Sequence, residues 1–133
     1  MKSLMKIVFF ALVIFVSSCT STAKFPVSSV APAADIVAKK KQDKNGNYKL
    51  EVTAKNLAAA ERISPSSSNY VVWIVTPTDG VRSIGRMINK NAKTISIEAL
   101  TPFNFNEVFI TAEGQDGVSI PSDTEIARVK FKK

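Results

Sequence analysis

The side chains that carry most enzyme chemistry are scarce in this sequence. It has no histidine and one cysteine, Cys19. A lone thiol allows no intramolecular disulfide, and without imidazole the nucleophile–base pairs of the common hydrolases cannot be assembled. Serines, lysines and carboxylates are present, but none stands at a spacing that suggests a site, and no glycine-rich phosphate loop occurs. The chain is therefore expected not to be an enzyme and to use no cofactor. Asp79-Gly80 and Glu113-Gly114-Gln115-Asp116-Gly117 have a superficial look of metal loops. A calcium loop needs several oxygens at short, regular spacing; neither segment supplies them, so both read as turns and no metal site is expected.

The chemistry of Cys19 is set by what precedes it. Lys2 and Lys6 open the chain with positive charge, and residues 7–16 (IVFFALVIFV) form an uninterrupted apolar run. That length suits a signal peptide and falls well short of the roughly 20 residues of a membrane-spanning helix. Val16-Ser17-Ser18-Cys19 resembles a bacterial lipobox, with Val16 where Leu is more usual and Ser18 where Gly or Ala is more usual. The resemblance implies cleavage after Ser18, a diacylglycerol thioether on the Cys19 sulfur and a further palmitate-type chain on the freed amine. Two or more chains anchor a protein stably, whereas one alone is marginal. The alternatives are ordinary secretion, with cleavage after Ser21-Thr22-Ala23, and an uncleaved anchor. Thr20 occupies the position where Asp commonly retains Gram-negative lipoproteins at the inner membrane, so an outer-membrane location is expected if the organism is Gram-negative.

Three further groups are candidates for binding. Lys39, Lys40 and Lys41, with Lys44, form one basic cluster; Lys130, Lys132 and Lys133 form another. If the first and last strands approach each other, the two become one patch, suited to anionic lipid, glycan phosphate or another polyanion. The competing reading is solvated strand ends that discourage edge-to-edge aggregation. Trp73, the single tryptophan, lies in a Val/Ile run and reads as the pin of the core. Tyr70 is out of phase with it on the same strand, which makes Tyr70 the candidate for an exposed contact. The whole chain carries a net charge of +7; loss of Lys2 and Lys6 with the leader lowers it to +5. That excess favours solubility without dictating a partner, and no nucleic-acid partner is expected.

The elements that must position these residues are mostly strands. Residues 20–33 (TSTAKFPVSSVAPA) are rich in Ser, Thr, Ala and Pro and read as an extended, unstructured tether. Tyr48, Leu50, Val52 and Ala54 alternate with Lys49, Glu51, Thr53 and Lys55, the signature of a half-buried strand. With Asn45-Gly46 as its turn, this strand over residues 47–56 forms a hairpin with residues 34–41. Residues 57–68 hold a short helix or long loop, closed by Pro65 and three serines, that crosses between sheets. Asn69 to Thr76 (NYVVWIVT) is a strand near the centre of a sheet. A turn at Pro77-Thr78-Asp79-Gly80 returns it through residues 81–88, and Asn89-Lys90-Asn91 is a further turn. Strands over residues 94–99, 107–112 and 126–131 complete about seven, the pattern of an immunoglobulin-like antiparallel β-sandwich. A small β-barrel is the alternative.

The stretch Asn56-Leu57, Tyr70-Val71-Val72-Trp73, Pro77, Asp79-Gly80 and Ile84-Gly85-Arg86-Met87, followed by Thr111-Ala112-Glu113 and Pro121-Ser122, resembles the extracytoplasmic domain of anti-sigma factors of the anti-sigma-K type. It covers residues 56–123 and implies a β-sandwich. Such factors also need a cytoplasmic sigma-binding domain and a transmembrane helix; the pattern matches neither, so sigma inhibition is not implied. The expectation is thus a leader over residues 1–18, a lipidated tether over 19–33 and a β-sandwich over 34–133. Its partners are the membrane, through the lipid, and an envelope protein or anionic glycan or lipid. The alternative function is a signalling or sensory accessory related to the anti-sigma outer domain.

Overall fold

The computed structural model describes residues 19–64, 66–87, 93–114 and 119–132. The leader, the turn at 89–91, most of the 113–117 segment and Lys133 lie outside the described residues. Among them are eight strands, β1 (Thr20–Lys24), β2 (Asp35–Gln42), β3 (Tyr48–Lys55), β4 (Asn69–Thr76), β5 (Gly80–Met87), β6 (Thr94–Thr101), β7 (Glu107–Glu113) and β8 (Glu125–Lys130), and one helical turn, α1 (Ala60–Ile63).

The strands form two antiparallel sheets, β1-β2-β3-β6 and β5-β4-β7-β8. Neither closes on itself or on the other, so the architecture is a sandwich and not a barrel. β3 neighbours β6 in one sheet and β4 neighbours β7 in the other, the Greek-key order of an immunoglobulin-like domain.

Local chemistry makes the turns. Between β2 and β3, Asp43 Oδ1 accepts from the backbone N–H groups of Asn45 and Asn47 at 2.8 and 2.9 Å, and Gly46 takes φ +81°, a conformation open to residues without Cβ. Between β4 and β5, the Thr76 hydroxyl donates to the Gly80 carbonyl and accepts from the Asp79 N–H. Asp79-Gly80 is therefore a turn. Asn56 follows β3 at φ +55°, a left-handed conformation that Asn tolerates, and Leu57 beyond it is buried.

The core lies between the sheets. β3 sends in Leu50, Val52 and Ala54, as its alternation predicts; β4 sends Tyr70, Val72 and Ile74; β7 sends Val108, Ile110 and Ala112. Burying a side chain such as Leu50 or Ile74 contributes about 1.5–3 kcal/mol. A second cluster of Val71, Trp73 and Phe109, flanked by Val75, lies on the other face of β4 and β7. β4 is thus buried on both sides, which is why its sequence is an unbroken apolar run.

One expectation is corrected. The segment read as a tether is part of the sandwich: Thr20 to Lys24 form β1, paired residue for residue with Lys41 to Val37 of β2. Beyond it Phe25 and Ala31 are buried, and the Ser28 hydroxyl donates to the Ile126 carbonyl at 2.6 Å while accepting from Ala31 N–H. The Ser and Thr content that reads as disorder suits an edge strand, where one face is solvated and β-branched Thr is favourable.

Candidate functional site

The antiparallel registers fix which residues share each end of the sandwich. Thr20 is opposite Lys41, Gln42 is opposite Tyr48, and Tyr48 is opposite Thr101. In the other sheet Glu107 is opposite Lys130 and Val75. The short link from Thr101 to Glu107 joins these two sets, and the Phe131 N–H donates to the Asn106 carbonyl at 2.8 Å. Cys19 is exposed and immediately precedes β1, so it sits at this same end.

That end is rich in lysine. On the outer face of the first sheet, Thr20, Lys41, Lys49 and Leu100 stand in one cross-strand row. Lys44 lies in the adjoining turn. β1 also meets β8 across the edge of the sandwich, where Ser21–Lys24 and Val129–Lys132 line a shallow groove. The strand that meets β8 is β1 and not the lysine-bearing β2, which the sequence predicts to be the first strand. Lys41, Lys44, Lys130 and Lys132 share this end of the sandwich, with β1 between the two clusters. Lys49 is held by Glu98 at 2.7 Å, and that hydrogen bond with its charge keeps the ammonium pKa above the ordinary value. Within the described residues no carboxylate pairs with Lys41, Lys44, Lys130 or Lys132.

The lysine run does not act as a unit. Successive strand residues face opposite sides, so Lys39 and Lys41 point to water while Lys40 turns inward. Its ammonium donates to Asn104 Oδ1 at 2.8 Å and to the Phe105 carbonyl, and it lies 4.7 and 5.0 Å from the ring centroids of Phe105 and Tyr48. Burial lowers its pKa. Lys40 thus plugs this end of the core, and its assignment to an exposed binding surface is corrected.

Tyr70 and Trp73 do face opposite sides, and both are buried. Tyr70 is 0% exposed in the main core, where its hydroxyl donates to the Ala58 carbonyl at 2.5 Å. Burial first, and then the charge of Glu61, push its pKa up to about 12. Tyr70 is therefore not a surface contact. Trp73 is equally buried on the outer face of its sheet, stacked on Phe109 with centroids 6.1 Å apart. The Arg128 guanidinium lies over the other ring at 4.1 Å and is held by Glu107 and Glu125. Trp73 Nε1 donates to Thr111 Oγ1 at 2.8 Å, and the Thr111 hydroxyl donates to Glu113 Oε2 at 2.5 Å. The same carboxylate accepts from the Ser122 N–H at 2.8 Å. This polar chain satisfies groups that burial would otherwise leave without partners.

Leu100 was not singled out by sequence. Its side chain is 66% exposed, and parity was the available signal: it continues the outward series Thr94, Ser96, Glu98. The resemblance residues Tyr70, Trp73, Gly85 and Glu113 all serve packing, Gly85 because a Cβ there would collide with the end of Ile97. Among the described residues no group of His, Cys, Asp and Glu is arranged to hold a metal ion, and no helix is long and apolar enough to cross a membrane. No family model, curated protein or solved structure matches the chain.

Proposed function

We propose that this chain is a bacterial lipoprotein, acylated on Cys19, whose non-catalytic β-sandwich binds or scaffolds a component of the cell envelope. The observation that carries this reading is the exposed thiol of Cys19, placed directly before the first strand and directly after the Val16-Ser17-Ser18 run. Cleavage after Ser18 would fall before the first described strand, which begins at Thr20. The absence of histidine and the use of the only thiol for the lipid support a binding role over a catalytic one. With Cys19 at the bilayer, the opposite end faces the envelope and presents the loop between β1 and β2, where Val27 is 79% exposed. The signalling alternative rests on the Tyr70–Trp73 pattern, whose side chains are used for packing, and so it names no surface.

The test is expression of the full chain and of Cys19→Ala in bacteria supplied with a labelled fatty acid, followed by membrane fractionation. The wild type takes up label and sediments with membranes; the variant does neither. A wild type without label, together with a variant that remains in the membrane fraction, overturns the reading. Cross-linking of the membrane-bound protein then identifies the envelope partner.

A further inference from the structure

We infer that the Cys19 end of the sandwich docks on the anionic phospholipid head groups of the leaflet that holds its acyl chains, so that the domain is seated on the bilayer instead of hanging from a flexible linker. This rests on the proposed acylation of Cys19. The first argument is reach. Adjacent Cα atoms are about 3.8 Å apart, and Thr20, the residue after Cys19, is already in the ladder opposite Lys41. A diacylglycerol on Cys19 therefore brings the row Thr20, Lys41, Lys49 and Leu100 to head-group level.

The second argument is charge. Lys41, Lys44, Lys130 and Lys132 at this end are without carboxylate partners among the described residues. The acids nearby are already engaged: Asp43 caps its turn, Glu98 holds Lys49 and Glu107 holds Arg128. Asp79, in the β4–β5 turn, accepts only from the Thr78 hydroxyl. Asp79, Asp43 and Glu51, which adds its field to that of Glu98 on Lys49, are the opposing charges at this end among the described residues. Each lysine near an anionic surface strengthens attachment about fivefold, an effect confined to the Debye length. The third argument is the exposed Leu100, beside Lys49 in the same row. Leu100 borders the exposed Val81 on one side and Lys49 on the other, and an apolar pair flanked by a cation suits the boundary between head groups and acyl chains.

The experiment uses the acylated full chain in vesicles of phosphatidylcholine alone or mixed with phosphatidylglycerol. Amine-reactive labelling is followed lysine by lysine by mass spectrometry. Lys41, Lys44 and Lys132 are expected to label about fivefold more slowly on the mixed vesicles, by the attraction of each lysine to the surface, and high salt should abolish the difference. Lys55 and Lys93, at the far end, should label equally on both. Equal labelling of all five overturns the inference while leaving acylation untouched. If the protein proves not to be acylated, co-sedimentation of the Cys19→Ala chain decides the matter. Salt-sensitive sedimentation with the mixed vesicles only, lost on Lys41→Glu with Lys132→Glu, supports docking; no sedimentation overturns it.

Discussion

Thr20 stands opposite Lys41 in an antiparallel ladder that begins one residue after Cys19 and continues to Lys24 opposite Val37. Backbone hydrogen bonding at that point makes the start of the domain part of its sheet. Amide hydrogen exchange distinguishes this from a tether. Amides of β1 that bond to β2 are expected to exchange far more slowly than an unstructured chain, and removal of residues 20–24 should speed exchange along Val37–Lys41. Uniformly fast exchange over residues 20–24 would contradict the ladder.

Tyr70 titrates as a buried phenol. Its pKa is pushed up to about 12, against roughly 10 in an unfolded chain. The folded state therefore holds the proton more tightly. Ionising Tyr70 costs the folded state on the order of 2 kcal/mol more than the unfolded chain, so stability is untouched below pH ~10 and falls as pH rises towards ~12. Tyr70→Phe should lower stability by about 1 kcal/mol near neutrality, through loss of the bond to the Ala58 carbonyl, and should flatten the alkaline limb of the stability curve. Phenolate absorbance and denaturant titrations measure both.

The outer cluster depends on its polar chain. Thr111→Val keeps the shape but leaves Trp73 Nε1 and the Glu113 carboxylate each short of a partner. A cost of about 1–3 kcal/mol is expected, against about 3–5 kcal/mol for Trp73→Ala. Chemical denaturation of the two variants gives the comparison, and a neutral Thr111→Val would mean the chain does not stabilise the fold.

Two glycines permit close approach for different reasons. A Cβ on Gly85 meets the terminal methyl of Ile97, whereas one on Gly114 meets the backbone carbonyl of Ser66. Gly85→Ala should cost about 1 kcal/mol, at the low end of the range for overpacking, and Ile97→Val should rescue it by removing that methyl. Gly114→Ala should cost more, towards about 3 kcal/mol, because a backbone oxygen cannot change rotamer. Thermal melts of the two single variants and the Gly85→Ala, Ile97→Val pair decide; absence of coupling in the pair would remove the Ile97 explanation.

Lys40 closes the end of the core. Lys40→Met keeps the stem but loses the bonds to Asn104 and Phe105. A loss of about 1–3 kcal/mol is expected, the range for a hydrogen-bonded charge. Lys41→Met, on the solvated face, should change stability by less than about 0.5 kcal/mol.

Local sequence determined strands β2 to β8 and the turns of the β2–β3 and β4–β5 hairpins, and with them the class of fold. Leu50, Val52 and Ala54 announce a half-buried strand because side chains alternate, Asn45-Gly46 announces its turn because Gly accepts positive φ, and the unbroken run of β4 announces a central strand. The position of Cys19 after the apolar run of residues 7–16 is also a purely local signal. Tertiary structure alone decided three things. β1 is a strand because β2 offers it a free edge, a non-local hydrogen-bonding partner that Ser/Thr/Ala composition cannot reveal. Parity placed Tyr70 and Trp73 on opposite faces, but a run apolar on both sides carries no mark of which side meets the other sheet; the neighbours on β5 and β7 settle that. The lysines of β2 and of the C-terminus become one end of the molecule only when the sheets are stacked, because they are far apart along the chain and like charges do not themselves bring strands together.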